Sequence, residues 1–541
     1  MTYSFNLIDE PWIPCLASDG SHRELGIRDV LQEAQSLGEI RGETPLETAA
    51  VHRLLLAILH RVFGPEGAAQ WGKLYHNPGF DLAGLDAYLQ LSDIHHAFDL
   101  FGEQRRFYQS RDPRAGKKSV ISMVIHAASG NNSTLFDHST EYVGLELTPA
   151  QAARALLVSQ MFGIGGLSGL PDKFTDGPAA KGILFFAKGS NLFETLLLNM
   201  LRYSEDEPIP TPNNDDLPAW EMADPFQPAR TKPKGYLDYL TWQNRRIWLL
   251  PEKVNGHVIV RQMSWAPGLM MEADDIDPMK HYRASRTSGM QPLCFSSERA
   301  LWRDSGVLFQ IASADAKPPL VVSWLDKLAR RSLIDPTKRF QLVALGMAKN
   351  KASVEFLRAE SLPLSLRLLA DTKRIGDLSH ALGDAENTAM AVRRSAFLLA
   401  LLTLYPNVAE DSVNVDARVD ERIVKGQNSK SSDRDAQHAY SLAKSWDVEN
   451  LFWSSLEPHF HRFIQDLPDA PDDALKRWRS EVRSAAKASF AQAISYVGED
   501  LRAQRAAALA SQTFNRGLAA ALGKASYSDS SQQEGADDET T

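Results

Sequence analysis

The chain has 541 residues, of which 43 % are hydrophobic and 23 % are charged, a composition typical of a folded globular protein of two to four domains. Only two cysteines, Cys15 and Cys294, occur, which excludes a disulfide framework and a four-thiolate zinc site and fits a reducing cytosol. The formal net charge of −9 disfavours a protein that coats DNA on its own, although it allows one local contact with nucleic acid within a larger complex.

The first 370 residues mix helical and strand patterns. Residues 47–62 and 149–161 have the apolar spacing of amphipathic helices. Residues 257–263 and 306–312 are short and alternating or β-branched, so they predict strands. No apolar stretch approaches the roughly 20 residues of a membrane span, and no secretory signal is recognisable. We therefore expect a mixed α/β domain over residues 1–370 in a cytoplasmic protein.

From residue 371 the pattern changes to long helices. Apolar residues at steps of three and four predict helices over residues 384–405, 446–467, 474–496 and 499–522. Pro458 lies inside the second of these and should kink it or divide it in two. The sequence therefore predicts an α+β protein in which the mixed domain precedes a C-terminal four-helix bundle, residues 371–524. Residues 525–541 are acidic and nearly free of apolar side chains, so we expect a disordered tail.

The most conspicuous local motif is the glycine-rich segment FGIGGLSG at residues 162–169. Gly163, Gly165 and Gly166 lack side chains, so their backbone amides could approach a phosphate or a base edge closely. The segment lacks the third glycine of the dinucleotide fingerprint and the Gly-Lys-Ser/Thr of a phosphate loop. A flexible connection between two elements is the alternative interpretation.

Two further segments could contact nucleic acid. The polar stretch at residues 129–140 carries one aromatic residue, Phe136, which could stack on a base or anchor the loop on the core. Residues 346–353, GMAKNKAS, place Lys349, Asn350 and Lys351 at a strand-to-helix or hairpin turn, where they could face phosphates or remain solvated. Basic pairs elsewhere, such as Arg245-Arg246, are usually part of the solvated surface.

Motifs for catalysis or metal binding are sparse. His459 and His461 are two residues apart on a predicted helix and therefore point away from each other. His95 and Asp99 are four residues apart, which favours a local hydrogen bond over a zinc site. We expect neither an enzyme nor a bound metal or cofactor, and an enzyme with an unrecognised active site stays an alternative.

Taken in order, several segments resemble the CasA family, the large subunit of the type I-E CRISPR complex Cascade, and the resemblance covers nearly the whole chain. The segments are FNLIDEPWIP at residues 5–14, LFDH at residues 135–138, GIGG at residues 163–166, residues 235–249, Asn350-Lys351-Ala352 and the closing helices. None of these segments is specific alone, but their common order is.

The resemblance implies a non-catalytic subunit for antiviral defence. Such a subunit reads the PAM, the short duplex motif beside the target, and wedges open the first base pairs so that the guide RNA can form an R-loop. It implies DNA and PAM binding by Gly163, Gly165, Gly166, Lys280, Asn350, Lys351 and Ala352. It implies contact with the guide RNA or a neighbouring subunit by Phe136 and His138.

The partners implied by the resemblance are macromolecular. They are the backbone, small and guide-RNA-end subunits of Cascade, the CRISPR RNA, target double-stranded DNA and a recruited nuclease-helicase. Lys351 departs from the family pattern because some members have glutamine there. Two cysteines also cannot form the four-cysteine zinc element of some members. A purely structural scaffold of the same complex is the second alternative, and it would be indifferent to changes at Gly165 or Lys351.

Overall fold

The computed structural model describes residues 3–91, 93–103, 105–125, 144–201, 215–272, 277–285, 287–310, 316–406 and 434–523. The chain divides into two compact units, Met1–Thr372 and Lys373–Thr541. Within the described ranges, no helix is both long and apolar enough to cross a membrane.

The first unit combines helices with small antiparallel sheets. Its described strands are β1 (Ile13–Ala17), β2 (His22–Leu25), β3 (Leu37–Ile40), β4 (Lys117–Ser119), β5 (Leu184–Lys188), β6 (Arg245–Val254), β7 (His257–Pro267), β8 (Tyr282–Ser285), β9 (Gly289–Pro292), β10 (Ala316–Lys317), β11 (Arg339–Asn350) and β12 (Ser353–Ser365). They pair in the orders β2–β1–β3, β4–β7–β6, β10–β8–β9 and β12–β11–β5.

The helices of the first unit surround these sheets. They are α1 (Ile27–Gln32), α2 (Pro45–Phe63), α3 (Ala68–Tyr75), α4 (Leu82–Leu89), α5 (Ile94–Ala97), α6 (Pro149–Phe162), α7 (Leu192–Leu198), α8 (Tyr236–Leu240), α9 (Ser305–Leu308), α10 (Leu320–Arg330) and α11 (Leu366–Ala370), with 3₁₀ turns at Val120–Met123 and Leu301–Asp304. The buried helices α2 and α6 pack against each other, and α2 also contacts β11.

Local sequence explains where α2 and α6 begin. The Thr44 hydroxyl accepts the Glu47 N–H at 3.2 Å, and Pro45 occupies the first turn of α2. Thr148 and Gln151 form a reciprocal capping box at the start of α6. These two helices confirm the predictions for residues 47–62 and 149–161, and β7 confirms the strand at residues 257–263.

The strand predicted for residues 306–312 is wrong, because Ser305–Leu308 form the short helix α9. Leu308 and Phe309 are fully buried. A short apolar run that is buried on all sides has no alternation to separate a strand from a helix.

The second unit is helical in its described residues. Its helices are α12 (Thr372–Leu404), α13 (Arg434–Ser445), α14 (Val448–Asp466), α15 (Pro471–Ser495) and α16 (Leu501–Leu522). Mixed α/β structure followed by C-terminal helices confirms the predicted fold class. The helix α13 was not predicted, and it packs Ala436 and Ala439 against Phe397 and Leu401 of α12.

Pro458 does not divide the helix that contains it. It lies inside α14, which continues from Val448 to Asp466, so of the two predicted outcomes, a kink or a division, the division does not occur. A proline inside a helix costs about 3 kcal/mol. Phe452 and Leu456 before it, and Phe460 after it, are all fully buried. The packing of these side chains holds both halves in one helix.

Candidate functional site

The glycine loop, defined here as residues 163–177, begins where α6 ends. The Gly163 N–H donates to the Ser159 carbonyl at 3.1 Å, and the Gly177 N–H donates back to the Gly163 carbonyl at 2.7 Å. Gly166 and Phe174 exchange two backbone hydrogen bonds of 3.0 Å. The segment is therefore a closed, hydrogen-bonded loop rather than an open connection between two elements.

The three predicted glycines of this loop have different surroundings. A Cβ atom at Gly163 would lie 2.6 Å from the Ser159 carbonyl oxygen and 2.9 Å from Arg245 Nη2, so only glycine fits there. A Cβ atom at Gly165 would lie 3.2 Å from the Phe174 carbonyl oxygen, a tight contact. Gly166 is exposed, and a Cβ atom there would meet nothing within 4 Å. Gly166 is therefore the position at which the outer edge of the loop can be altered without repacking.

Arg245 holds the glycine loop from beneath. Its side chain is buried, with the residue 1 % exposed, and its guanidinium donates to the Ile164 carbonyl at 2.9 Å and to the Thr175 carbonyl at 2.8 Å. The guanidinium carbon lies 4.7 Å from the centre of the Phe174 ring, a cation–π distance. Burial lowers the pKa of Arg245 to about 9. The expectation that this arginine is solvated is wrong, because its side chain is buried. Its guanidinium connects the two sides of the loop by contacting both Ile164 and Thr175.

Asp176 joins the glycine loop to the hairpin formed by β11 and β12. Its Oδ1 accepts the Gly165 N–H at 2.8 Å, and its Oδ2 forms an ion pair with Lys349 Nζ. Lys349 lies near the end of β11. The structure therefore brings together two segments that the sequence pattern singled out separately, and it does so through a carboxylate that sequence reasoning missed.

The hairpin tip, residues 350–352, is exposed. Asn350 pairs with Ser353 across the end of the hairpin, so Lys351 and Ala352 form a tight hairpin turn. Lys351 has φ +53° in the left-handed region. That conformation costs a non-glycine residue about 1–2 kcal/mol. The two-residue turn confirms the hairpin alternative predicted for this segment, and it projects the tip beyond the sheet.

Lys280 lies outside this exposed surface. The residue is only 5 % exposed, and its ammonium donates to the Pro178 carbonyl at 2.6 Å, directly after the glycine loop. Burial lowers the pKa of Lys280 to about 8, an effect that the Asp277 carboxylate partly opposes. In this arrangement Lys280 supports the end of the loop, and its role as a groove-reading lysine stays a prediction.

The outer face of the glycine loop is mixed in character. Leu167 is 86 % exposed, and Lys173 is exposed as well. Arg114 Nη1 lies 3.3 Å from Asp172 Oδ2, so a second ion pair lies beside the one between Asp176 and Lys349. The surface offers a glycine backbone edge, an exposed hairpin tip and cations already paired with carboxylates.

Phe136 and His138 lie outside the described residues. Their predicted contact with guide RNA or a neighbouring subunit therefore stays a prediction.

The local hydrogen bond predicted between His95 and Asp99 is wrong. His95 Nε2 lies 2.9 Å from Asp9 Oδ2, whereas Asp99 accepts the Phe5 and Phe101 N–H groups at 3.2 and 2.8 Å. The reason is that α5 ends at Ala97, so Asp99 does not share a helix face with His95. In the part of the chain that the structure describes, no three His, Cys, Asp or Glu residues are placed to hold a metal ion.

Comparison with known proteins relates nearly the whole chain to one family. The sequence model described as CRISPR-associated protein Cse1 matches residues 6–489. The CRISPR-associated protein CasA/Cse1 of Thermus thermophilus is 32 % identical over 530 residues, which are 95 % of this chain and 97 % of that protein. A crystal structure of Thermus thermophilus CasA has a TM-score of 0.77 at 29 % identity, covering 96 % of this chain and 100 % of the other. A chain of a solved CRISPR RNA-guided surveillance complex has the same fold, with a TM-score of 0.69 at 19 % identity over 96 % of this chain and 99 % of the other.

Proposed function

We propose the function of this chain from the premise that it belongs to the CRISPR-associated protein Cse1 family. It is the large, non-catalytic subunit of a cytoplasmic CRISPR RNA-guided surveillance complex. It reads the PAM of duplex DNA with the glycine loop and the hairpin tip, and the tip then wedges open the first base pairs. The guide RNA pairs with the opened strand, and the resulting R-loop recruits a separate nuclease-helicase.

The observation that carries this proposal is the juxtaposition of the glycine loop and the hairpin tip. The ion pair between Asp176 and Lys349 joins them, and Arg245 fixes the loop on the body of the domain. Gly166 and the tip residues are exposed, and each belongs to one of the two elements that this ion pair joins. Both elements are slender, one a glycine backbone edge and the other a two-residue turn, and slender elements can enter a groove that is too narrow for a helix.

The minor groove suits this pair better than the major groove does. It is about 6 Å wide, too narrow for a helix, and its hydrogen-bonding pattern distinguishes mainly A·T from G·C pairs. A glycine backbone edge and one or two polar side chains fit such a groove and read it with tolerance. We therefore expect recognition of a small set of PAMs rather than one sequence. Opening a base step costs a few kcal/mol, which contacts of the hairpin tip must offset.

The remaining partners follow from the same role. A subunit that opens the duplex must lie beside the end of the guide RNA that pairs first, so we place it next to the guide-RNA-end and backbone subunits. Phe136 and His138 are the residues that we assign to this contact. The helical second unit is assigned to the small subunits. Lys280 is the residue that we assign to the groove, reached after a local rearrangement at the end of the glycine loop.

A substitution of Gly166 by aspartate tests the proposal. An added carboxylate there projects into open space, so the fold should be unchanged, but its charge and bulk should repel the groove. We expect the assembled complex to bind PAM-containing duplex at least tenfold more weakly, on the scale of 1.4 kcal/mol per factor of ten. Gly79→Asp is the matched control, because a Cβ atom at Gly79 also meets nothing within 4 Å and Gly79 lies outside the loop and the hairpin.

Different outcomes favour the alternatives. Binding by Gly166→Asp equal to that of the wild type, with normal assembly, would indicate a purely structural scaffold. Turnover of a nucleic-acid substrate by the isolated chain would indicate an enzyme with an unrecognised site. Co-purification with a guide RNA and other Cascade-like subunits is the first requirement of the proposal.

A further inference from the structure

We propose that the Asp176 carboxylate is an internal stand-in for a DNA phosphate, and that a phosphodiester group of the bound duplex displaces it from Gly165 N–H and Lys349 Nζ. This inference rests on the proposed function, since it takes the surface of the glycine loop and hairpin as the DNA-binding surface. The inference places a specific anion site on that surface. Asp176 occupies this site in the absence of DNA, and a phosphate of the duplex occupies it when DNA is bound.

The geometry that suggests an anion site is the convergence of two unlike donors on one carboxylate. The Gly165 N–H donates to Oδ1 of Asp176 at 2.8 Å, and Lys349 Nζ contacts Oδ2. The two donors come from chain segments far apart in sequence. A backbone N–H of a glycine segment together with one lysine is a common way to bind a phosphate oxygen. The donor set therefore does not require a carboxylate, only an anion with two accessible oxygens.

The exposure of the pair makes an exchange feasible. The side chain of Asp176 is 43 % exposed, so water and ions reach it, whereas that of Lys349 is 16 % exposed and is held in place along β11. An exposed ion pair contributes little net stability. The contrast within the same unit is the pair of Arg53 and Asp277, whose side chains are 3 % and 1 % exposed. Separating that buried pair would leave an unpaired charge inside the protein, so it cannot act as an exchangeable site.

The exchange has a consequence for the salt dependence of binding. A lysine that is free in the unbound protein releases about one counterion from DNA when it meets a phosphate, which adds about 0.9 to the slope of log K against log salt concentration. If the phosphate must first displace Asp176, the freed carboxylate gains a counterion as DNA loses one. The contact then contributes little to the slope, and Asp176 lowers affinity for any duplex. Asp176 thus limits non-specific binding at the site that touches the DNA backbone.

The substitution Asp176→Asn separates this mechanism from a merely structural link. Asparagine keeps the size and an Oδ1 acceptor for the Gly165 N–H, but it releases Lys349 from its ion pair. We expect the assembled complex to bind PAM duplex roughly threefold more tightly in low salt, the scale of one exposed ion pair. We also expect the salt slope to steepen by about 0.9. Asp172→Asn is the matched control, because it removes the same charge from the same loop without touching Gly165 or Lys349.

A double-mutant cycle with Lys349→Gln decides the assignment. The gain from Asp176→Asn should vanish in the Lys349→Gln background, because the cation that accepts the phosphate is gone. A gain of equal size in both backgrounds would show a general charge effect and overturn the inference. Weaker binding by Asp176→Asn would also overturn it and make Asp176 a residue that positions the loop for DNA. If Gly166→Asp and Lys349→Gln both bind duplex like the wild type, the proposed function itself fails. Melting temperatures and gel filtration of each variant verify folding and assembly.

Discussion

Substitution of Arg245 by methionine should release the glycine loop while leaving the rest of the domain folded. Methionine fills the space of the arginine stem without its charge. It cannot donate to the Ile164 and Thr175 carbonyls, which the guanidinium now contacts at 2.9 and 2.8 Å. The backbone hydrogen bonds between Gly166 and Phe174 and between Gly177 and Gly163 would then have to hold the loop closed without the cation beneath it.

Two opposing quantities set the size of the effect of Arg245→Met. Hydrogen bonds to a charged donor contribute about 1.5–3 kcal/mol each, so the two bonds to the loop contribute about 3–6 kcal/mol. The contacts of the guanidinium with the neighbouring Asn244 add to this quantity. Burial lowers the pKa of Arg245 from 12.5 to about 9, which corresponds to a cost of charge burial on the order of 5 kcal/mol. The methionine variant loses the hydrogen bonds of the guanidinium, but it also avoids the cost of burying a charge. We therefore expect the two quantities to offset each other in large part, so that the global free energy of unfolding changes by a few kcal/mol at most, with the loss concentrated in the loop.

Amide hydrogen exchange measures this separation directly. The amides of Gly166, Phe174 and Gly177 should lose protection in Arg245→Met, while the melting temperature changes little. Arg246→Met is the control, because Arg246 donates to Ser110 Oγ at 3.1 Å and does not contact the loop. Unchanged protection of the three loop amides would refute the reasoning, since the loop would then hold its shape without the buried cation.

Two further predictions concern the hairpin tip and the core of the first unit. Lys351→Gly should raise hairpin stability by about 1 kcal/mol, because glycine adopts the φ of +53° without strain. Lys351→Gly should nevertheless slow R-loop formation on a fully paired duplex, and it should not slow R-loop formation on a target whose first base pairs are already open. Equal slowing on both targets would contradict the wedge role of the hairpin tip. Burial lowers the pKa of His52 from 6.5 to about 4, because the folded protein favours the neutral imidazole. The contribution of the neutral His52 to the free energy of unfolding is therefore complete above pH 6.5. About 3 kcal/mol of it is lost as the pH falls to about 4, because the unfolded chain takes up the proton first. His52→Leu should flatten the fall in melting temperature over that range, leaving the part due to His60 and His281; an unchanged profile would contradict the assignment.

The long helices could be predicted from sequence because their signal is local and periodic. One apolar face recurs every three or four residues in α14 and α15, and that face is the buried one. The same reasoning left both a kink and a division open at Pro458, because the local rule for proline leaves out the packing that opposes a division. It failed at residues 306–312, since Leu308 and Phe309 are buried whatever the local conformation.

In the candidate site, too, the features that are local in sequence could be predicted and those that depend on distant partners could not. The glycine-rich segment and the hairpin tip stand out in sequence because glycine clusters and short polar turns are local features. Arg245 and Asp176 do not, because their roles depend on partners distant along the chain. Arg245 contacts Ile164 across 81 positions, and Asp176 contacts Lys349 across 173. A lone sequence gives no reason to connect such residues, so Arg245 was assigned to the solvated surface although it is buried.

The acidic balance of the chain agrees with the way in which its cations are held near the glycine loop. Lys349 is paired with Asp176 and Arg114 with Asp172, so part of the positive charge of the proposed DNA surface is already balanced by carboxylates of the glycine loop. A net charge of −9 adds a long-range repulsion of DNA. Under the proposed function, we expect such a surface to bind duplex weakly when alone and to gain affinity where other subunits and the guide RNA hold the duplex against it. We therefore expect its contribution to be discrimination at the PAM rather than strength of binding, which is the division of work expected when base pairing with the guide reads the sequence.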